Sequence, residues 1–263
     1  MDLPRLQLFE LNDAPWAPPV LRDIIIEALS RTLDWGGILR GLVAPFEDFI
    51  AASGTTEVLD LASGAAGPAR ILINEILRAG RTPPRFLLTD LNPQLAAWRQ
   101  ARAAFPHILD FVPEPVDATN IPEPLACGRA RVIINALHHL PPAVAGGIFA
   151  DAARSKSPVF IAECFERNPL GYVAMWPAGS LALAVTPLLS SRARLAKAVL
   201  TYATPIVLGV SLWDGLVSTM RVYSRADLEA MVAPLGDGYD WTYGTFAFPV
   251  GGKGYYFHGV PRR

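Results

Sequence analysis

Several carboxylates and one histidine pair in this sequence stand at the ends of apolar runs, where a polar side chain is held in place yet can meet a ligand. Asp60 follows Val58 and Leu59, and Asp90 follows 86–89. Asp117 sits beside the small residue Ala118, and His138-His139 follow the apolar run 132–137. A carboxylate can accept from paired hydroxyls or from an amino group. Imidazole titrates near neutrality and can act as a base. Adjacent histidines cannot both face one pocket from a regular element, so one of His138 and His139 is expected to be structural. No third ligand has suitable spacing for these two to hold a metal, so no metal is expected. Asp214 and Arg221 end a long stretch without charge. They could pair, orient a polar group of a substrate, or brace the chain around them, because an isolated buried charge needs a partner.

The elements that position these groups can be read around 56–70. Val58, Leu59 and Leu61 suit a buried strand. The small-residue turn Ala62-Ser63-Gly64-Ala65-Ala66-Gly67 follows, and Pro68 suits a first helical turn. Such a turn lets backbone N–H groups face a ligand at a helix N-terminus. Residues 85–93 repeat the pattern: an apolar strand, Asp90 at its tip with Leu91 and Asn92 beside it, then Asn-Pro announcing a helix. Strand, turn, helix, strand and acid make a nucleotide-binding βαβ unit, in which the acid can take both ribose hydroxyls. As a dinucleotide fingerprint, Ala62-x-Gly64-x-x-Gly67 departs from G-x-G-x-x-G at its first position.

Leu59-Asp60-Leu61-Ala62-Ser63-Gly64-Ala65-Ala66-Gly67 more closely resembles the first motif of the class I S-adenosylmethionine-dependent methyltransferases, acid-x-G-x-G-x-G, with Ala62 and Ala66 in place of the outer glycines and Gly64 at the centre. Asp117-Ala118 is similar to the family's third landmark, and 134–140 to its fourth, written with a Leu-His-His-Leu core. The resemblance spans 55–165 by motif and 224–263 by element order. It implies a mainly parallel seven-stranded sheet of the Rossmann-like kind, its last strand antiparallel, with helices on both faces. It also implies S-adenosyl-L-methionine as cofactor. Gly64 and Ala62 would face its methionyl part, Asp90 with Leu91 and Asn92 its ribose, Asp117 and Ala118 its adenine, and Asn135 its amino group. Asp60 would order the loop or meet the amino group through water. His139 or His138 would be the base if the acceptor needs one, with Asp214 behind them.

Around this core, 1–54 reads as a Pro-rich arm followed by a helical cover, and 55–263 as the methyltransferase domain with an apolar insertion at 167–222. Residues 168–191 and 198–213 contain no charged side chain; Arg192, Arg194 and Lys197 lie between them. A run of that length could span a bilayer by hydropathy, but Gly171, Pro177, Gly179 and Pro187 interrupt it. An apolar cap over the site, an oligomer interface, a membrane-surface patch and a membrane hairpin remain open. Trp35, Trp213, Arg221 and Tyr223 are candidates for a substrate pocket, and the composition suggests a small, hydrophobic or lipid-like acceptor.

With 263 residues, 51% of them hydrophobic, the chain can bury a full α/β core. A net charge of −1 gives no electrostatic reason for a nucleic-acid partner. Cys127 and Cys164 form no ligand spacing or disulfide framework, which fits a reducing compartment. No signal peptide is visible at Met1-Asp2-Leu3, so a cytoplasmic location is expected, with membrane association through 168–213 as the alternative. Two further readings stay open: a non-catalytic binding or assembly protein on the same sheet, and an S-adenosylmethionine enzyme whose chemistry is not methyl transfer.

Overall fold

The structure is a computed structural model that describes residues 4–12, 14, 16–168 and 171–262. The N-terminal expectation at Met1, Asp2 and Leu3, the Pro15 flank of Trp16 and residues 169–170 of the insertion lie outside the described residues. The chain divides into two compact units. The sheet unit comprises 39–164, 223–246 and 254–263, and the helical unit 1–38, 165–222 and 247–253.

The sheet unit begins with α2 (Val43–Ser53), then alternates β1 (Glu57–Asp60), α3 (Gly67–Arg78), β2 (Arg85–Leu88), α4 (Leu95–Ala104), β3 (Leu109–Phe111), α5 (Glu123–Ala126), β4 (Ala130–Ile134), α6 (Pro142–Arg154) and β5 (Val159–Glu163). After α10 (Arg225–Val232), β6 (Tyr239–Phe248) and β7 (Gly252–Pro261) close the sheet. The strand order is β3-β2-β1-β4-β5-β7-β6. β1 to β5 pair in parallel, and β7 runs antiparallel beside β5 with Phe160 opposite His258 and Ile161 opposite Phe257.

Alternation along the strands sends successive side chains to opposite faces. Phe86, Phe160 and His258 meet Phe46 and Phe49 of α2 on one face. On the other, Phe257 and Trp241 meet Phe149 of α6. Both faces are therefore covered, which is why the parallel strands read as continuous apolar runs. β4 and β5 are buried at every residue. The terminal hairpin is longer than its sequence suggests, because β7 starts at Gly252 within the expected turn. Ser224 caps α10 in a reciprocal capping box with Asp227.

The helical unit contains α1 (Pro19–Trp35), α7 (Trp176–Leu189), α8 (Arg194–Tyr202) and α9 (Ile206–Arg221). Leu21 and Ile24 of α1 pack with Val207 and Val210 of α9, and Leu183 and Leu200 join from α7 and α8. The N-terminal arm lies along α9. Both carboxylate oxygens of Asp214 accept from the arm, from Leu11 N at 2.6 Å and Asn12 N at 2.9 Å. Ser218 Oγ donates to Glu10 at 2.8 Å, and Arg221 reaches Glu10 at 3.1 Å and the Leu8 carbonyl at 2.6 Å. These three residues recur at i, i+4 and i+7, so they share one face of α9.

Candidate active site

The turn after β1 takes its shape from unusual backbone angles. Ala62, Gly64 and Ala66 have φ of 54°, 50° and 62°. Left-handed backbone is natural for glycine and costs an L-residue about 1 kcal/mol or more. Two alanines have thus been forced into the conformation that the outer glycines of the motif would adopt freely. Asn135, at the tip of β4, also has positive φ. Three of the six described non-glycine residues with positive φ therefore cluster at neighbouring strand tips, where such strain marks functional sites.

Hydrogen bonds then lock the turn to β2. Asp60's main-chain carbonyl accepts from Thr89 N, Thr89 Oγ1 and Ser63 Oγ, each at 2.9 Å. Ser63 N returns a bond to the Thr89 carbonyl at 3.1 Å. Asp90 Oδ2 accepts from Gly64 N at 2.8 Å, while Oδ1 accepts from Asn92 N at 2.8 Å. The carboxylate at the tip of β2 thus reaches back to the central glycine of the turn. From α4, the fully buried Trp98 donates its indole N–H to the Gly64 carbonyl at 2.8 Å, so both polar groups of Gly64 are held.

Asp60's own carboxyl is buried, and burial pushes its pKa from 3.8 to about 7; the nearby Asp90 charge adds to this, and the Ser63 hydroxyl opposes it. Asp117 has the opposite setting. Exposed in a loop, its Oδ1 accepts from Thr119 N and Oγ1 at 2.8 and 2.7 Å, and these two bonds hold its carboxyl below the usual range. Val116 N donates to the Asp90 carbonyl at 2.9 Å, which fixes the start of that loop, with Ala118 next to Asp117, at the β2 tip. At the β4 tip, Asn135 N donates to the Ala162 carbonyl at 2.7 Å and Asn135 Oδ1 accepts from Cys164 N at 3.3 Å.

The histidine pair follows directly. His138 is buried, with Glu163 accepting from its backbone N–H at 3.0 Å and standing 2.8 Å from Nδ1. These two contacts with one buried carboxylate fix the position of the His138 ring. His139 is only partly buried, and its ring lies 4.2 Å from that of His138. The two neighbours therefore differ in setting, His138 being the anchored one. Tyr223 donates its hydroxyl to the Leu140 carbonyl at 2.6 Å and is buried, so its phenol braces the loop carrying the histidines.

Asp60, Ala62, Gly64, Asp90, Leu91, Asn92, Asp117, Ala118, Asn135, His138, His139 and Tyr223 all fall in the sheet unit. Asp214, Arg221, Trp35 and Trp213 fall in the helical unit. There Asp214 and Arg221 each hold the arm, and Trp213 donates its indole N–H to the Phe9 carbonyl at 3.1 Å. Trp35, at the end of α1, is exposed. Sequence reasoning missed Trp98 and Glu163. A charge inside the buried run of β5 was the available signal for Glu163, since a buried carboxylate demands donors.

No protein-family model and no curated protein sequence matches the chain. Solved structures do. The plantazolicin methyltransferase BpumL in complex with SAH superposes with a TM-score of 0.59 over 96% of this chain and 94% of its own, at 9% identity. The fold is that of the class I S-adenosylmethionine-dependent methyltransferases. A methyltransferase domain of bacterial CtHen1 matches this methyltransferase fold with a TM-score of 0.51 over 85% of the chain and 99% of its own, at 8% identity. A SAM-dependent methyltransferase from Aquifex aeolicus gives 0.50 over 89% and 97%, at 12% identity. The antiparallel β7 inserted between β5 and β6 is the element that separates this methyltransferase sheet from the dinucleotide-binding arrangement.

Proposed function

We propose that the chain transfers a methyl group from S-adenosylmethionine to a small apolar molecule. The observation that carries this reading is the bond from Gly64 N to Asp90 Oδ2, which joins a strained small-residue turn to a carboxylate at the next strand tip. The surroundings fit a nucleoside. A Cβ built on Gly64 would meet nothing within 4 Å, and Leu91 is 61% exposed beside Asp90. Each oxygen of Asp90 already accepts one amide and retains a lone pair, so the carboxylate can also take two ribose hydroxyls. Asp117 Oδ1 is engaged by Thr119, so Oδ2 is the oxygen an adenine amino group would meet, with Ala118 leaving room for the ring. Ala62 and Gly64 would lie along the methionyl part, with Asn135 and Asp60 toward its amino group.

When bound there, S-adenosylmethionine would supply an electrophilic methyl group with a neutral thioether as leaving group. The protein's share of the work is alignment and exclusion of water. Asp90, Gly64 and Trp98 form one hydrogen-bonded unit that fixes the turn before any ligand arrives. His139, the more exposed of the pair, is the base for an acceptor that must lose a proton, and His138, anchored by Glu163, positions it by ring contact. An acceptor that is already nucleophilic needs neither. The apolar composition of 168–213 supports a hydrophobic acceptor.

The test is transfer of labelled methyl from S-adenosylmethionine to panels of hydrophobic and of water-soluble phenols, amines and thiols. Label in an apolar product, with S-adenosylhomocysteine released in equal amount, is the expected result. Turnover confined to water-soluble acceptors would refute the acceptor class. Consumption without S-adenosylhomocysteine would point instead to aminopropyl transfer, and product formed without consumption to a cyclisation assisted by the sulfonium.

A further inference from the structure

Beside its apolar core, the helical unit buries polar side chains while turning several large apolar ones outward. Along α7 and at its C-cap, Thr186 and Ser190 are buried while Leu181 and Leu188 face out, and along α8 Lys197 is fully buried while Leu195, 79% exposed, and Val199 face out. On α9, Asp214 and Arg221 are buried while Leu208 and Leu212 are exposed. A water-facing helix shows the reverse pattern. The buried polar groups are paired with one another. Lys197 Nζ donates to Glu27 at 2.6 Å and to Ser190 Oγ at 3.1 Å, and Arg31 donates to Thr186 Oγ1 at 2.9 Å and to Glu27 at 3.3 Å. Burial pushes the Glu27 carboxyl up, but Lys197, Ser190 and Arg31 outweigh it and hold it below the usual range.

The outward face has a charge as well as an apolar character. Between 168 and 213 there is no acidic residue, and with Lys197 buried the exposed charges are Arg192, in the turn between α7 and α8, and Arg194, at the start of α8. Leu188 and Leu189 precede them, and Leu195, Val199 and Tyr202 follow, all exposed. We propose that this turn and its flanking helix faces dock on an anionic lipid bilayer surface, with the leucines inserted at the level of the headgroups and the two arginines on the phosphates. Apolar burial and basic attraction are the two contributions that hold an interfacial helix.

Two other arrangements fit the observations less well. The segment Gly171–Leu189 is long and apolar enough to cross a bilayer. Crossing would carry Thr186 and its partner Arg31 on the charged helix α1 toward the hydrocarbon, at high cost. A second copy of the chain docked face to face would bring two pairs of arginines into one interface, with no acid in the segment to offset them.

The test is sedimentation of the full chain with vesicles of phosphatidylcholine and with vesicles of phosphatidylcholine mixed with phosphatidylglycerol, at low and at physiological salt. Partition should favour the anionic vesicles and weaken with salt. Arg192→Gln should lower it about fivefold, the share of one basic residue near an anionic surface. Leu188→Ser combined with Leu195→Ser should remove binding to both vesicles. These side chains are exposed, so melting curves should be unchanged. Absence of wild-type binding to anionic vesicles, or equal binding by the variants, would overturn the proposal. So would a concentration-dependent dimer dissolved by Leu195→Ser.

Discussion

Replacing Asp60 by Asn should make the protein more stable at neutral pH and above, and leave it nearly unchanged near pH 4. The native carboxyl is buried at the end of β1 with its pKa raised from 3.8 to about 7. Below 3.8 the folded and unfolded chains both hold the proton. Between these values the unfolded chain has released it and the native chain has not, so this group's contribution falls as pH rises and levels off above about 7. A shift of roughly 3 units corresponds to about 4 kcal/mol, an upper bound because local relaxation and water reduce the cost of a buried charge. Asn has nearly the same shape and no charge, so the variant minus wild-type difference isolates this one group from all other titrations. Urea unfolding at a series of pH values from 4 to 8 measures it. The difference should open between pH 4 and 7 in favour of the variant. Parallel curves, or a variant less stable than wild type at pH 8, would refute the assignment of a buried, neutral Asp60.

Other substitutions have equally definite outcomes. Ala62→Gly and Ala66→Gly should each stabilise by about 1 kcal/mol in denaturant unfolding, because glycine relieves the left-handed strain, whereas Ala103→Gly on the exposed face of α4 should cost about 0.5 to 1 kcal/mol. Asp214→Ala removes the acceptor of two arm amides and should destabilise by about 2 to 4 kcal/mol, at roughly 1.5 to 3 for each charged hydrogen bond before relaxation. It should also open 5–12 to limited proteolysis. Loss of turnover in Asp214→Asn with the arm still protected would contradict the arm-holding role. If S-adenosylmethionine brings its ammonium near Asp60, affinity measured by titration calorimetry should rise as pH passes through about 7, and Asp60→Asn should abolish that dependence.

The parts of this fold that are legible in the sequence are those whose chemistry is local. A strand, a small-residue turn and a helix start within 56–70 demand one another, and the acid at Asp90 stands where the second strand ends. The order of Asp60, Asp90, Asp117 and His138-His139 along the chain therefore places the tips of β1, β2 and β4 from the sequence alone. The terminal hairpin is also local, which is why β6 and β7 are readable from 239–260. Contacts between distant residues have no such signature. Glu163 meets His138 across 25 positions and Asp214 meets Leu11 across 203. Trp98 looks like one more apolar residue of α4 until its indole N–H is seen to need the Gly64 carbonyl. Lys197 reads as a charge that interrupts two dry stretches, and only the fold turns it inward to Glu27. The apolar insertion is recognisable by composition, but which of its polar side chains turn inward is a property of faces and depends on where α1 packs.

The central claim is that the linked turn and carboxylate at the strand tips bind S-adenosylmethionine, and titration calorimetry of the wild-type chain and Asp90→Ala tests it most directly. Micromolar binding of S-adenosylmethionine and S-adenosylhomocysteine is predicted, weakened at least tenfold in Asp90→Ala, since a charge-assisted hydrogen bond is worth roughly 1.5 to 3 kcal/mol. No heat with either ligand, or binding that Asp90→Ala leaves untouched, would contradict the account and leave a methyltransferase fold without the cofactor site assigned to it.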